Sequence, residues 1–334
     1  MAELGLVHAA LHSPCALEAK AGGDLMYTTG DARTRASHPH AGDYAVVIPA
    51  YNAAATLARA LESVFAQTLL PAEVIVVDDG SPDRVAIEAI VARYGQRVCL
   101  LQRRNGGPAA ARNDGVRASS SPWIAFLDAD DAWLPEKMQR QMELSSDSRA
   151  GLLHGCALLG RAPLPARLDF DTLWRQNRIC TSMAVVRRTA FEQVGGFDED
   201  LALLGAEDYN LWLRIARAGW SVLARPELLG HYTPAAGSVT SRIERCAHAE
   251  LHNALTLGKA LGLEPRIIRG KVLSIRTDFG RHLLYVRQPR AARRMLMQPL
   301  WRKPNLERFS LWSATFVPIS VMNLRRRLLA SRRH

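Results

Sequence analysis

The chain has 334 residues, 48% of them apolar, and a formal net charge of +11. That is enough apolar mass for one large core or two modest ones, and it excludes a disordered chain. No uncharged apolar run reaches the roughly 18 residues that a membrane-spanning helix needs, so an ordinary spanning helix is excluded too.

The charge is uneven. Ser241 to His334 hold 20 basic and 5 acidic residues, a net of +15, which leaves −4 on the first 240. A basic tail of this kind points to a polyanionic partner, either a membrane surface or nucleic acid. The five cysteines, Cys15, Cys99, Cys156, Cys180 and Cys246, are odd in number and show no CxxC spacing. They read as reduced thiols of a cytoplasmic protein rather than as disulfides or a zinc site. Glu3 and the lack of a basic stretch before Leu4 to Leu11 argue against a secretory signal.

Residues 1–43 show no sustained periodicity and read as a flexible leader. Tyr44 to Pro49 is a short apolar run closed by proline, the pattern of a buried strand. Leu57, Leu61, Val64 and Phe65 then fall at helical spacing, and Glu73 to Asp78 is a second buried strand. Ser81, Pro82 and Asp83 read as N-cap, first-turn proline and first-turn acid of a helix. Val98 to Leu101 is a third strand, Pro108 opens a helix, and Trp123 to Asp128 is a fourth strand. Strand and helix alternate, so the expected fold is α/β, a mostly parallel, Rossmann-like sheet with helices on both faces. Ligands of such sheets bind beyond the carboxyl ends of the strands. From about Gly151 the alternation weakens, leaving a short helix from Thr189 to Val194, an amphipathic helix from Glu207 to Ala218 and a strand from Trp220 to Leu223.

The polar clusters sit at those strand ends. Pro49-Ala50-Tyr51-Asn52 offers an aromatic ring for stacking on a base, or is only a turn that holds tyrosine. Asp78-Asp79-Gly80-Ser81 places two carboxylates side by side, which suits a base N–H or a ribose hydroxyl; helix capping explains Ser81 and the glycine but not both acids. Asn105 to Asn113 is a glycine-bearing loop running into a helix, with Arg112 one turn in. Asp128-Ala129-Asp130-Asp131 would repel itself at a strand end unless a hard divalent cation, Mg²⁺ or Mn²⁺, relieved the repulsion and bridged a diphosphate. Glu207 and Asp208 open a helix, where acids are commonly only dipole partners.

In order and spacing, these five clusters, with Gly195-Gly196-Phe197, resemble glycosyltransferase family 2, the inverting nucleotide-sugar transferases of the GT-A fold. The resemblance covers residues 44–240 and implies three regions: the leader, a GT-A domain over 44–240, and a basic helical region over 241–334. It implies that Tyr51 and Asp79 contact the nucleobase with Pro49 as pocket wall, that Arg112 supports the nucleotide, and that Asp128 holds the ribose. Asp130 would be the main metal ligand and Asp208 the catalytic base. Family members often carry a histidine before a Gly-Ser pair near the domain's end; here Ala235-Ala236-Gly237-Ser238 has alanine there, and His231, out of register, is the nearby substitute.

The expected activity is transfer of a sugar from a nucleotide-diphosphate donor to a saccharide or lipid-linked acceptor in bacterial cell-surface polysaccharide biosynthesis. The alternative is a non-catalytic nucleotide-sugar-binding subunit of a glycan assembly complex. A dinucleotide-dependent oxidoreductase is set aside, because Pro-Ala-Tyr-Asn stands where GxGxxG would follow the first strand. In the tail, Phe309 to Leu324 is an uncharged stretch of 16 residues flanked by arginine clusters. It suits either a segment lying in the membrane interface or a helical subdomain with a solvated basic face. The expected location is cytoplasmic, peripheral on the inner face of the plasma membrane. Nucleic acid is not expected as a partner, since no recognition motif accompanies the charge.

Overall fold

The computed structural model describes residues 25–29, 41–157, 165–231, 233 and 243–323. In chain order the first elements are β1 (Leu25–Thr29), β2 (Ala41–Ala50), α1 (Leu57–Phe65), β3 (Leu70–Asp78), α2 (Arg84–Ala92), β4 (Cys99–Arg103), α3 (Pro108–Ala118) and β5 (Trp123–Phe126). Then come β6 (Ala132–Trp133), α4 (Lys137–Met142), β7 (Ala150–Cys156), β8 (Arg167–Leu168), α5 (Phe170–Arg175), β9 (Val185–Arg187), α6 (Arg188–Gln193), α7 (Glu207–Arg217), β10 (Ser221–Leu228) and β11 (Gly230–His231). Four helices follow: α8 (Ile243–Ala260), α9 (Pro265–Tyr285), α10 (Pro289–Arg302) and α11 (Leu306–Ala314).

Nine strands form one sheet in the order β1-β4-β3-β2-β5-β9-β7-β10-β8, and β6 pairs with β11 in a separate ribbon. The centre, β4-β3-β2-β5, is parallel throughout. The α/β class expected from the alternating pattern is therefore what the chain adopts. The flanks differ: β1 pairs antiparallel with β4, and β9 antiparallel with both β5 and β7. The edge strand β1 comes from the stretch read as a leader.

Both faces of the parallel centre are covered, because successive strand residues point to opposite sides. Val46, Ile48, Val74 and Val76 pack with Leu57, Leu61 and Val64 of α1 and with Ile87 and Ile90 of α2. Val47 and Val77 point the other way and meet α3 at Gly115. A Cβ on Gly115 would lie 2.4 Å from a methyl of Val47, so only glycine lets α3 approach this closely.

By contacts the chain divides into two compact units. The first comprises Met1–Arg167, Ile179–Gln193 and Val222–Tyr232; the second comprises Leu168–Arg178, Val194–Ser221 and Thr233–His334. The composition change near residue 240 is thus not where contacts divide the chain, since α5 and α7 group with α8 to α11. The second unit has its own core, built from Ala247, Leu283, Leu284, Ala292, Met295 and Leu296.

Gly115→Ala should lower the melting temperature, since overpacking costs about 1–3 kcal/mol against a helix-propensity gain of about 1 kcal/mol. Gly270→Ala, in α9 with nothing within 4 Å of the added Cβ, keeps only the gain and should hold or raise it. Differential scanning fluorimetry of both variants checks this; equal behaviour would contradict the close approach at Gly115.

Candidate active site

In the first unit, the carboxyl ends of β2, β3 and β5 and the loop from β4 to α3 bring the expected residues together. Asp79 donates its N–H to Ala50 O at 2.9 Å, which ties the end of β3 to that of β2. Asn52 takes a left-handed φ of 52°, and its N–H reaches Ser81 Oγ at 3.1 Å. Ala54 N–H reaches Asp83 Oδ2 at 2.8 Å. The expected roles of Ser81 as N-cap and Asp83 as first-turn acid are corrected here: α2 starts at Arg84, Asp83 stands at the N-cap position, and no side-chain cap bond forms. Both side chains instead fix the β2 loop, a long-range demand that overrides the local pattern. The result holds Tyr51 at the surface, 58% exposed, with Pro49 half-buried before it.

Asp79 is buried, and its carboxylate accepts from Arg103 Nη1 at 2.5 Å, Gly106 N–H at 2.9 Å and Gly107 N–H at 2.8 Å. Arg103 Nε continues to Asp114 Oδ2 at 2.6 Å, and Asp114 also accepts from Arg117. Burial pushes the Asp79 carboxyl above its ordinary range, and the Gly106 N–H, Arg103 and the Gly107 N–H pull it back. Removing one partner of such a buried pair typically costs about 3–5 kcal/mol, so the network holds the glycine loop against β3. Gly80, at φ +70°, is required by this contact, because a Cβ there would lie 2.8 Å from Asn105 N. Among the described residues Asp79 Oδ2 accepts only from Gly107 N–H, which leaves it a lone pair.

At the end of β5 the three acids separate. Asp128 accepts from buried Arg112 at 2.7 Å and is one-third exposed. Asp131 is 1% exposed and accepts from Ser182 Oγ at 2.5 Å, while the same hydroxyl oxygen accepts Asp128 N–H at 3.1 Å. Ser182 O also accepts Trp133 Nε1–H at 2.6 Å. One buried serine thus sets the loop from 128 to 133. Beneath that loop lies fully buried Lys137, its Nζ 3.9 Å from the Trp133 ring centroid; burial pushes this amine well below the ordinary lysine range.

Asp130 is left. Arg59 bonds its backbone carbonyl, but among the described residues no other side chain donates to its carboxylate. Burial, and then the charge of Asp128, raise its carboxyl above the ordinary range, with its own backbone N–H and the charge of Arg59 pulling it part of the way back. The ribbon pairs His231 with Ala132, two residues beyond Asp130, and leaves the imidazole exposed. Among the described residues no group of three His, Cys, Asp or Glu could hold a metal by itself. The donor set therefore fits a cation held by one or two protein groups and completed by phosphate oxygens, the usual habit of Mg²⁺ and Mn²⁺ with nucleotides. The Ala235 to Ser238 stretch lies outside the described residues.

In the second unit, Glu207 and Asp208 form the first turn of α7. Glu207 is committed to Gly205 N–H at 2.7 Å, whereas half-buried Asp208 accepts Tyr209 N–H at 2.6 Å through Oδ1. Three side chains lock this helix. Arg214 donates to Val194 O at 2.5 Å and Gly196 O at 2.6 Å, Phe197 meets Trp212 edge-on at 6.3 Å, and Tyr209 OH donates to Leu173 O at 2.5 Å. The Gly195-Gly196-Phe197 motif is the seat of α7. Nothing in the local sequence marks Ser182 or Lys137, and because β4 is buried along its whole length no period sets Arg103 apart either.

Two family descriptions match the sequence: "Glycosyl transferase family 2" over residues 45–159 and "Glycosyltransferase like family 2" over residues 172–240. The chain belongs to glycosyltransferase family 2. It is 35% identical over 231 residues to the succinoglycan biosynthesis protein ExoO of Rhizobium meliloti, covering 62% of this chain and 65% of that one. It is 26% identical over 179 residues to WfgD of Escherichia coli, a UDP-Glc:alpha-D-GlcNAc-diphosphoundecaprenol beta-1,3-glucosyltransferase, covering 52% and 69%. The chain thus spans slightly less than two thirds of ExoO, and 58% of an uncharacterized glycosyltransferase of Rickettsia prowazekii. Two solved structures share the GT-A fold. One is S. aureus TarS 1-349 in complex with UDP-GlcNAc, with TM-score 0.54, 17% identity and coverage of 81% and 79%. The other is the mannosyltransferase PcManGT of Pyrobaculum calidifontis in complex with GDP-Man and Mn²⁺, with TM-score 0.55, 21% identity and coverage of 88% and 82%.

Because the folded chain binds the Asp130 proton more tightly than the unfolded chain, its ionised carboxylate costs stability. That cost is absent below the ordinary carboxylate range and grows as pH rises through the raised pKa. Metal-free Asp130→Asn should therefore melt above the parent at pH 7, with the gap closing toward the carboxylate range; a variant that melts lower at pH 7 would contradict the reading.

Proposed function

We propose that the chain transfers one sugar from a nucleotide-diphosphate donor to a saccharide or lipid-linked acceptor, with inversion, in bacterial cell-surface polysaccharide biosynthesis. The observation that carries this is the split among the acids after β5: Asp128 pairs with Arg112 and Asp131 takes the Ser182 hydroxyl, while burial and Asp128 disfavour an ionised Asp130. The WfgD acceptor, a lipid diphosphate by its name, and the nucleotide sugars in the TarS and PcManGT structures support the same chemistry.

In this reading Tyr51 stacks on the nucleobase against Pro49, and Asp79 accepts a base N–H with its remaining Oδ2 lone pair. Arg112 holds Asp128 in place to take the ribose hydroxyls and adds positive charge near the phosphates. Asp130, with His231, would hold Mn²⁺ or Mg²⁺, which when bound offsets charge on the departing diphosphate. Asp208, in the first turn of α7, accepts the proton of the attacking acceptor hydroxyl. A lipid-linked acceptor would hold the enzyme at the inner face of the plasma membrane. In the described residues no helix is long and apolar enough to cross one.

Asp208→Asn tests the base assignment. With donors screened as UDP-, GDP- and dTDP-sugars, kcat should fall about 10²–10⁴-fold while donor affinity holds. Undiminished turnover would remove Asp208 from the role, and donor binding without turnover in the parent would favour a binding subunit.

A further inference from the structure

Of the fifteen large hydrophobic side chains exposed among the described residues, ten lie between Tyr285 and Val321. Trp301 is 78%, Leu306 84% and Phe309 56% exposed. Single exposed hydrophobes are ordinary; a concentration of this kind marks an interaction surface.

The second unit accounts for only one side of these helices. Leu311, Trp312 and Ala314 of α11 pack on the core made by α9 and α10. Leu306 and Phe309, three residues apart and so neighbours on the helix, are exposed, and α11 has no fully buried residue. A helix apolar on two sides has a second partner. Along α10, Arg290, Arg294, Gln298 and Arg302 recur every four residues and are exposed, with Met297 and Trp301 beside them. Cations and apolar groups therefore share one stripe.

The charge of this stretch selects the partner. Residues 285–323 contain seven Lys or Arg and one acid, Glu307, which is already paired with Arg281. A second copy would bring like charge against like charge. A nucleic acid would meet the arginines but leave Trp301, Leu306 and Phe309 in water. An anionic bilayer satisfies both sets at once, with arginine and lysine at the headgroups and the rings in the acyl boundary.

We propose that the exposed face of α10 and α11 docks the chain on an anionic lipid bilayer. Trp301, Leu306 and Phe309 enter the interface, while Arg290, Arg302 and Lys303 meet the lipid phosphates; Arg294 lies 3.8 Å from Glu244. The docking places a lipid-linked acceptor and the enzyme on the same surface, and so deepens the acceptor class proposed above. It needs no turnover, so a failure of docking and a failure of the transfer reading are separable.

The test is co-sedimentation of the full chain with phosphatidylcholine vesicles, with and without phosphatidylglycerol, at low and high salt. Binding is expected only with the anionic lipid and should weaken with salt. Leu306→Ser with Phe309→Ser should weaken it about tenfold or more, and each of Arg290→Glu and Arg302→Glu by about fivefold or more. All are exposed, so unchanged melting curves should accompany the loss. Trp301→Phe should remove a lipid-dependent blue shift in the emission spectrum. Binding that ignores lipid charge, or no binding at all, would overturn the proposal. So would a dimer dissolved by the Leu306→Ser and Phe309→Ser pair, or a nucleic-acid affinity that those changes leave intact. If vesicle binding fails while sugar transfer to a soluble acceptor persists, only the docking falls.

Discussion

Five carboxylates crowd the ends of two parallel strands, and the local structure of the first unit depends on how each is satisfied. Asp78 accepts Ser81 N–H at 2.9 Å through Oδ1, while its buried Oδ2 meets no partner among the described residues; Asp79 is held by Arg103 and two glycine N–H groups, Asp128 pairs with Arg112, and Asp131 takes the Ser182 hydroxyl. Burying a charge is costly unless it is paired and hydrogen-bonded, so each of these partners fixes a loop as well as a charge. The glycine loop is held to β3 by Asp79, α3 to β5 by Arg112, and the segment carrying Ser182 to the loop after β5.

This gives Asp130 its meaning. Its burial and its neighbour Asp128 both work against its ionised form, and among the described residues no other side chain donates to it. A carboxylate left in that condition is poorly suited to a purely structural task and well suited to a divalent cation that arrives with a diphosphate. The acids of α7 also take different partners: Glu207 closes the Gly205 turn, and Asp208 accepts the N–H of Tyr209.

Much of the parallel half was legible because its signals are local. Val46 to Pro49 and Val74 to Asp78 are apolar runs with sharp polar ends, and Pro108 marks the start of α3 correctly. What escaped is non-local or short. β9 has three residues and β6, β8 and β11 two each, too few for any period to show; beyond the parallel centre only part of β10 was read, as the strand Trp220 to Leu223. Ser182 acts on an acid 51 residues away, and nothing in its own neighbourhood marks it. Ser81, Pro82 and Asp83 carried a valid helix-start pattern, but the loop after β2 takes the Ser81 and Asp83 side chains instead. The carboxylate cluster was conspicuous in sequence; which member was left over became visible only once the partners of the others were placed.

Calorimetric titration of Mn²⁺ into the full chain, alone and in the presence of a nucleoside diphosphate, tests this account most directly. With Asp130 and at most His231 as protein ligands, Mn²⁺ alone should bind weakly, the nucleotide should tighten it by tenfold or more, and Asp130→Asn should abolish the tightening. Tight Mn²⁺ binding without nucleotide, or a coupling untouched by Asp130→Asn, would contradict the claim that Asp130 is the carboxylate left for a shared cation.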